Sequence, residues 1–169
     1  MGNALLTGTF VRSLDEKQRF SIPKRLRDLL GHPEMNLVYI TPGTDRSLAL
    51  YTEESLRQMG DQLSAGSPIG QDVRTFSRLF YAQATCLEID RQGRVRIPPE
   101  LMQLASLGTE VVLLGVRDHL EIWDRRSWQS YLDDKLPSFD DIAESAFQGK
   151  NFRAASTEVT SPSTPANPR

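Results

Sequence analysis

The sequence predicts an α+β fold made of two similar units that share one hydrophobic core. Three observations predict it. A block of 16 residues that starts at Asp15 returns 75 positions later at Asp90 with six identical positions, where average composition gives roughly one by chance. In each block, apolar and polar residues alternate before a proline, which is typical of a half-buried strand. Leucines then follow at helical spacing, which predicts a short helix with one buried face.

Each copy is predicted to form a strand, a tight turn, a strand and a helix, and then a hairpin and a second helix. In the first copy the predicted strands are 9–14, 19–22, 37–40 and 48–51, and the turn is 15–18. One helix follows Pro23 with Leu26, Leu29 and Leu30 on one face, and the second helix contains Leu56, Met59 and Leu63. In the second copy the predicted strands are 87–89, 95–97, 111–114 and 120–123, and the turn is 90–93. One helix follows Pro98 with Leu101, Leu104 and Ala105, and the second helix contains Trp128 and Leu132. Each proline ends a strand and favours a helix start.

The connecting segments complete the predicted organisation. Residues 65–70 are rich in Gly, Ser and Pro, which predicts a linker before an amphipathic helix over 72–81. Apolar spacing after Pro137 predicts a helix over 139–148 that ends before Gly149. The predicted divisions are a first unit over 5–64, a linker and connecting helix over 65–82, a second unit over 83–135, a C-terminal helix over 136–153, and a disordered tail over 154–169.

The composition is typical of a soluble globular protein. Of the 169 residues, 38% are hydrophobic and 25% charged, and no apolar run approaches the ~20 residues of a membrane span. The N-terminus lacks the features of a secretory signal. The single cysteine, Cys86, cannot form an internal disulfide, so we expect a cytoplasmic protein. Cys86 lies in a strand-like stretch and is expected to pack as a small core residue.

Positive charge is concentrated in the first copy. The net charge of −2 argues against a uniformly basic nucleic-acid binder, yet residues 12–27 hold six basic and two acidic side chains, a local sum of +4. Residues 90–102 hold three basic and two acidic side chains, a sum of +1. Such a patch predicts contact with DNA phosphates, and we expect that contact mainly on the first copy.

Catalytic patterns are absent from the sequence. The two histidines, His32 and His119, lie in different halves and have no metal-ligand spacing with Cys86 or with a carboxylate cluster. Neither a glycine-rich phosphate loop nor a nucleophile motif is present. We therefore predict that the chain is not an enzyme and needs no cofactor or metal.

The repeated motif Asp-x-x-x-Arg lies at both predicted turns. An aspartate in a turn can accept backbone N–H bonds, and the arginine can pair with it, so Asp15 and Asp90 are interpreted as structural. A single motif of this kind would be a surface ion pair of little energetic consequence. Because it occurs twice at fixed distance from Ile-Pro and a leucine-faced helix, we interpret Arg19, Arg94 and their basic neighbours as the functional candidates.

The chain resembles the MraZ family in four stretches, roughly within residues 5–135. They are Asp15 to Pro23, Arg78 to Ala82 followed by Glu88 to Pro98, and Leu120 to Trp128. The resemblance implies two tandem AbrB-like swapped-hairpin units that form one pseudo-symmetric, double-psi-like barrel core. It also implies a nucleoid-associated bacterial regulator that binds short direct repeats upstream of the division and cell-wall gene cluster, often repressing its own operon. Rings of eight or more subunits are expected. The DNA-binding residues implied by motif position and basic context are Arg19 and Arg94, with Lys17, Lys24, Arg25 and Arg12.

One departure and two alternatives accompany this resemblance. The family pattern has glycine where Gln18 stands, so the first turn is expected to be wider or more strained than the second. A protein-interaction module of the same fold is one alternative, although an interface centre would be depleted of Lys and Arg. An antitoxin-type regulator is the other, although such chains usually carry one copy of the unit.

Overall fold

The computed structural model describes residues 5–30, 36–65 and 70–155 of the chain. Its strands are β1 (Leu6–Ser13), β2 (Arg19–Ser21), β3 (Leu37–Pro42), β4 (Leu48–Tyr51), β5 (Thr85–Glu88), β6 (Arg94–Arg96), β7 (Glu110–Arg117) and β8 (His119–Asp124). Its helices are α1 (Lys24–Leu30), α2 (Glu53–Ala65), α3 (Gln71–Gln83), α4 (Pro99–Leu104), α5 (Arg125–Lys135), a 3₁₀ turn (Leu136–Ser138) and α6 (Phe139–Ala155). The predicted order of strands and helices is confirmed.

The strands form two antiparallel sheets. The larger sheet has six strands in the order β1-β7-β8-β4-β3-β5, and the smaller sheet pairs β2 with β6. The pairing is reciprocal between copies, since β1 of the first copy pairs with β7 of the second and β5 of the second pairs with β3 of the first. The α+β prediction is therefore confirmed. Among the described residues the larger sheet does not close into a barrel, and β1 and β5 are its edges.

The two copies contribute equivalent residues to one core. Phe20 is fully buried opposite Val95 in the β2–β6 pairing. Ile22 and Ile97 are 1% and 0% exposed, and each donates its backbone N–H across to the other copy's turn. Burying one such side chain stabilises the fold by about 1.5–3 kcal/mol. The fully buried set is Phe20, Ile22, Leu26, Val38, Ile40, Leu48, Leu50, Val95, Ile97, Leu113, Leu120 and Ile122.

Three details differ from the sequence-based expectations. Cys86 is exposed rather than packed, because β5 is an edge strand whose alternation turns Thr85 and Leu87 inward. Leu29 and Leu104, identical in the two copies, are 36% and 39% exposed rather than buried. The helix predicted over 139–148 continues through Gly149 to Ala155, since a helix tolerates an interior glycine at a cost of about 1 kcal/mol.

The described chain divides into two compact units after Trp128, within α5. The second unit consists of the rest of α5, the 3₁₀ turn and α6, and it exposes Phe139, Ile142 and Phe147. Most of the predicted tail and linker (156–169 and 66–69) lies outside the described residues, and the predicted domain boundaries stay predictions. In the part of the chain that the structure covers, no helix has the length and apolar character to cross a membrane.

Candidate nucleic-acid interface

The first turn is fastened by the Asp15 carboxylate. Its Oδ1 accepts hydrogen bonds from the backbone N–H groups of Lys17 and Arg19, both at 2.9 Å, and its Oδ2 accepts one from Arg19 Nε at 2.7 Å. The Gln18 N–H donates to the Asp15 carbonyl at 2.9 Å. Because these bonds favour the charged form, above all the one from the Arg19 backbone, the pKa of Asp15 lies below its ordinary value of 3.8.

The second turn repeats this geometry bond for bond. Asp90 Oδ1 accepts from the backbone N–H groups of Gln92 and Arg94 at 2.9 Å, and Asp90 Oδ2 accepts from Arg94 Nε at 2.9 Å. The Gly93 N–H donates to the Asp90 carbonyl at 2.8 Å. The Arg94 backbone N–H is also the main reason that the pKa of Asp90 lies below 3.8. Each Asp-x-x-x-Arg motif is thus a closed clamp in which the arginine is held by its own aspartate.

The turn residue before each arginine has a left-handed backbone. The φ angle is 60° at Gln18 and 77° at Gly93. Glycine adopts this region at no steric cost, whereas a side chain there is disfavoured. The structure therefore has the same turn conformation in both copies, and the first copy carries the strain because its residue is glutamine. The Gln18 Oε1 is also buried without a hydrogen-bond partner among the described residues.

The pairing of β2 with β6, here called the ribbon, brings the two clamps together. In its register Arg19 lies opposite Arg96 and Ser21 lies opposite Arg94. Alternation turns Phe20 and Val95 into the core and leaves the four polar residues on the outer side. Arg94 Nη1 also lies 3.9 Å from the Asp15 carboxylate of the other copy. The two motifs thus form one site.

Arg12 lies beside the ribbon on β1. Its Nε donates to the Ser21 carbonyl at 3.1 Å and its Nη1 donates to the Val11 carbonyl at 2.8 Å. Neither bond neutralises the guanidinium charge. Arg12, Arg19, Arg94 and Arg96, here called the arginine face, carry four positive charges against the two of Asp15 and Asp90, a net of +2.

The other predicted residues lie in two places. Lys17 is exposed at the tip of the first turn. Lys24 and Arg25 are on α1, where they line a shallow depression with Leu5 and Thr7, and Lys24 Nζ pairs with Asp28 at 2.8 Å. Thr7 is five residues from Arg12 along β1, about 16 Å at strand spacing. The structure thus gathers Arg12, Lys17, Arg19 and Arg94 around the clamps, while Lys24 and Arg25 lie on the helix that follows the ribbon strand β2.

Arg96 was missed by the sequence-based selection. Its side chain is exposed and forms no hydrogen bond or ion pair with the described residues, whereas its backbone pairs with Arg19. Its position was available in the sequence, since the alternation of Arg94, Val95 and Arg96 places both arginines on one side of a strand. Arg96 was not selected because the equivalent residue of the first copy, Ser21, is not charged.

The only histidine that the structure describes, His119, belongs to a separate polar cluster. Its Nδ1 lies 2.7 Å from Asp118 Oδ1, its Nε2 lies 3.8 Å from Glu121 Oε1, and its ring stacks on Tyr51 at 4.8 Å. Burial lowers the pKa of His119, but the interactions with Glu121 and Asp118 raise it by more than burial lowers it. The net shift is upward from 6.5. The described residues contain no cluster of His, Cys, Asp and Glu arranged to hold a metal ion.

Fold and site together define a duplicated α+β hairpin protein with an arginine-bearing ribbon, a surface suited to a polyanion. The family model described as "MraZ protein, putative antitoxin-like" matches residues 80–150. Three relatives are each named Transcriptional regulator MraZ. The protein of Mesoplasma florum is 35% identical over 87% of this chain and 99% of its own length. Those of Finegoldia magna and Alkaliphilus metalliredigens are 36% and 37% identical over 80% and 82% of this chain and 92% and 94% of their own lengths.

The chain belongs to the MraZ family. Its relatives are named as regulators of transcription, a class of proteins distinct from enzymes.

Proposed function

We propose that this protein is a sequence-specific DNA-binding transcriptional regulator that binds DNA through the arginine face. The observation that carries the proposal is the register of the ribbon, which sets Arg19 opposite Arg96 and diagonal to Arg94 on the same outer side. Family membership supports the same function, since the relatives are named transcriptional regulators.

The ribbon has the dimensions and chemistry that DNA recognition requires. A major groove about 12 Å wide admits a two-stranded β-ribbon. The clamps hold Arg19 and Arg94 with side chains only 28% exposed, so little conformational freedom is lost on binding. An arginine that forms a bidentate contact with guanine contributes about 1–3 kcal/mol of discrimination. Arg12 and Arg96, which have no carboxylate partner among the described residues, supply charge for phosphate contacts.

Tight binding by this surface requires several subunits. A net charge of +2 supports only a few phosphate contacts, which give weak and salt-sensitive binding. Several copies at fixed spacing increase the affinity, because later contacts form at high effective concentration. We propose a homo-oligomeric ring of eight or more subunits. Support comes from the two open sheet edges and from the equivalent exposure of Leu29 and Leu104, since unpaired strand edges and exposed apolar side chains are surfaces that other chains cover.

The remaining parts of the proposal follow from the resemblance. The target is a set of short direct repeats upstream of the division and cell-wall gene cluster, including the protein's own promoter, where it represses transcription and associates with the nucleoid. The two units are proposed as AbrB-like swapped hairpins around a double-psi-like core. The reciprocal bonds from Ile22 N–H to the Gly93 carbonyl (2.9 Å) and from Ile97 N–H to the Gln18 carbonyl (3.0 Å) support this pseudo-symmetry.

Fluorescence anisotropy with a duplex of the upstream repeats tests the function. We expect tighter binding to that duplex than to a shuffled duplex of the same length, with an affinity that falls as salt rises. Equal affinity for both duplexes would contradict sequence-specific regulation. A salt-independent affinity would contradict phosphate contact, and no binding to either duplex would favour a protein-interaction module of this fold. Light scattering of the same samples reports the number of subunits.

Arg96→Ser tests the site with little risk to the fold. The Arg96 side chain forms no hydrogen bond or ion pair with the described residues, and serine is what the first copy has at the equivalent position, Ser21. We expect binding to weaken about tenfold, the loss of one charged contact. Arg126→Ser, which removes an exposed arginine of α5 outside the ribbon, is the matched control and should bind as the wild type does. Equal affinities of both variants would exclude Arg96 from the interface.

A further inference from the structure

The guanidinium of Arg27 lies directly on the backbone of the second turn. A Cβ atom added at Gly93 would collide with Cζ, Nη1 and Nε of Arg27. Gly93 adopts the left-handed φ of 77° without strain, and a side chain in its place would displace the guanidinium. A cation of the first copy is thereby placed on the clamp of the second copy, one residue from Arg94.

This cation has no counter-ion in the described chain. Arg27 Nε is buried without a hydrogen-bond partner, and no described carboxylate lies within ion-pair distance of the guanidinium. Arg19 and Arg94 by contrast are each paired with an aspartate. A partly buried charge without a partner is costly, so its presence suggests an anion supplied from outside the chain.

The fold itself does not require a cation at this position. The equivalent residue of the second copy is Met102, 75 positions later. The backbones match, since the N–H groups of Arg27 and Met102 donate to the carbonyls of Pro23 and Pro98, both at 3.0 Å. A methionine thus occupies the same place in the same turn of helix, and the positive charge is a property of the first copy alone.

We propose that Arg27, seated on Gly93, is a binding site for a phosphate of the DNA backbone. The neighbouring cations at the second turn, Arg91 and Arg94, favour a chain of phosphates over a single carboxylate. The site widens the arginine face beyond the ribbon and gives the second turn a phosphate contact that the first turn lacks. This inference rests on the proposed DNA-binding function.

Arg27→Met tests the site by introducing the residue of the other copy. Anisotropy titrations over a range of salt concentrations compare it with the wild type on the repeat duplex and on the shuffled duplex. We expect about tenfold weaker binding to both duplexes and a salt slope smaller by about 1, because a phosphate contact carries no sequence information. The melting temperature should not fall, since the variant removes an uncompensated charge.

A second variant separates phosphate contact from a structural role. Gly93→Asn keeps a residue that tolerates the left-handed conformation but displaces the guanidinium. Its effect on DNA affinity should not add to that of Arg27→Met in the double variant.

Unchanged affinity and salt slope for Arg27→Met would overturn the phosphate site while leaving the proposed function intact, provided that the wild type binds the repeats. A lower melting temperature with an unchanged salt slope would likewise overturn it, in favour of a packing role. Failure of the wild type to bind DNA would reject the proposed function itself, and this inference with it.

Discussion

The two turns of this protein share their hydrogen bonds, but the side chains in and around them differ between the copies. Every hydrogen bond around Asp15 has a counterpart around Asp90, with lengths that agree within 0.2 Å. Three of the differences bear directly on the site: Gln18 against Gly93, Ser21 against Arg96, and Arg27 against Met102. The hydrogen bonds of the clamp are therefore a shared property of the fold, while the positive charges differ between the two copies. Each copy supplies a cation where the other has a neutral residue, so the resulting surface is one composite site of both copies.

The largest expected effect tests whether the copies are equal in the core. Ile22→Ala and Ile97→Ala each remove a fully buried side chain from equivalent places. Each should lower the free energy of unfolding by about 2–5 kcal/mol, with similar values for the two variants. Urea unfolding followed by circular dichroism measures both. A cost for one that is several times that for the other would break the equivalence of the copies.

The turn glycine is the next difference to test. Gln18→Gly should raise the free energy of unfolding by about 1 kcal/mol, because it relieves a left-handed side chain. Part of that gain is offset by the greater backbone freedom of glycine in the unfolded chain. Gly93→Ala should destabilise, because it introduces the same strain and meets the Arg27 guanidinium. Thermal unfolding compares them, and a destabilised Gln18→Gly would contradict the account of the first turn.

Acid should weaken both clamps together. The pKa of each turn aspartate is lower in the fold than its ordinary value of 3.8. A lowered pKa contributes stability that is present above the unfolded value and lost as the pH falls through the folded value. Unfolding free energies measured from about pH 5 to about pH 2 should therefore fall, and the double variant Asp15→Asn/Asp90→Asn should fall less steeply. Equal slopes for the variant and the wild type would remove the clamps as the cause.

The smallest expected effect comes from the second hairpins, which also differ between the copies. The β7–β8 turn holds His119 between Asp118 and Glu121, whereas the β3–β4 loop over 43–47 contains no histidine. Because the pKa of His119 is raised above 6.5, its contribution to stability is present below that value and lost as the pH rises through the raised pKa. Stability should be lower at about pH 8.5 than at about pH 6, and His119→Gln should reduce the difference. An unchanged difference would contradict this role of His119.

The sequence repeat was sufficient to predict most of the fold. Alternation and helical spacing are local signals, so the strands, turns and both proline-started helices appear where they were predicted. Strand pairing between the copies is a long-range property that periodicity does not contain. The same limit explains Cys86, whose exposure depends on β5 being an edge strand.

The residues of the candidate site could be selected from the sequence more readily than their arrangement, and their role in DNA binding stays a prediction. The motif identified Asp15, Arg19, Asp90 and Arg94, and charge counting identified Arg12. Arg96 and Arg27 needed the structure, because their importance depends on the β2–β6 register and on the contact with Gly93. Leu29 and Leu104 show a further limit, since identity between copies suggested a shared place in the core and both are exposed. A residue that is identical in both copies can therefore also lie on the surface.

The most direct test of the composite site compares Arg19→Gln with Arg94→Gln in binding to the upstream repeats. Glutamine retains a donor toward the turn aspartate, and circular dichroism confirms that each variant is folded. We expect losses of about tenfold or more for both variants, within about threefold of each other, because both arginines lie on the outer side of the ribbon and each is held by its own aspartate. Wild-type affinity for Arg94→Gln together with a large loss for Arg19→Gln would contradict it and would confine DNA binding to the first copy.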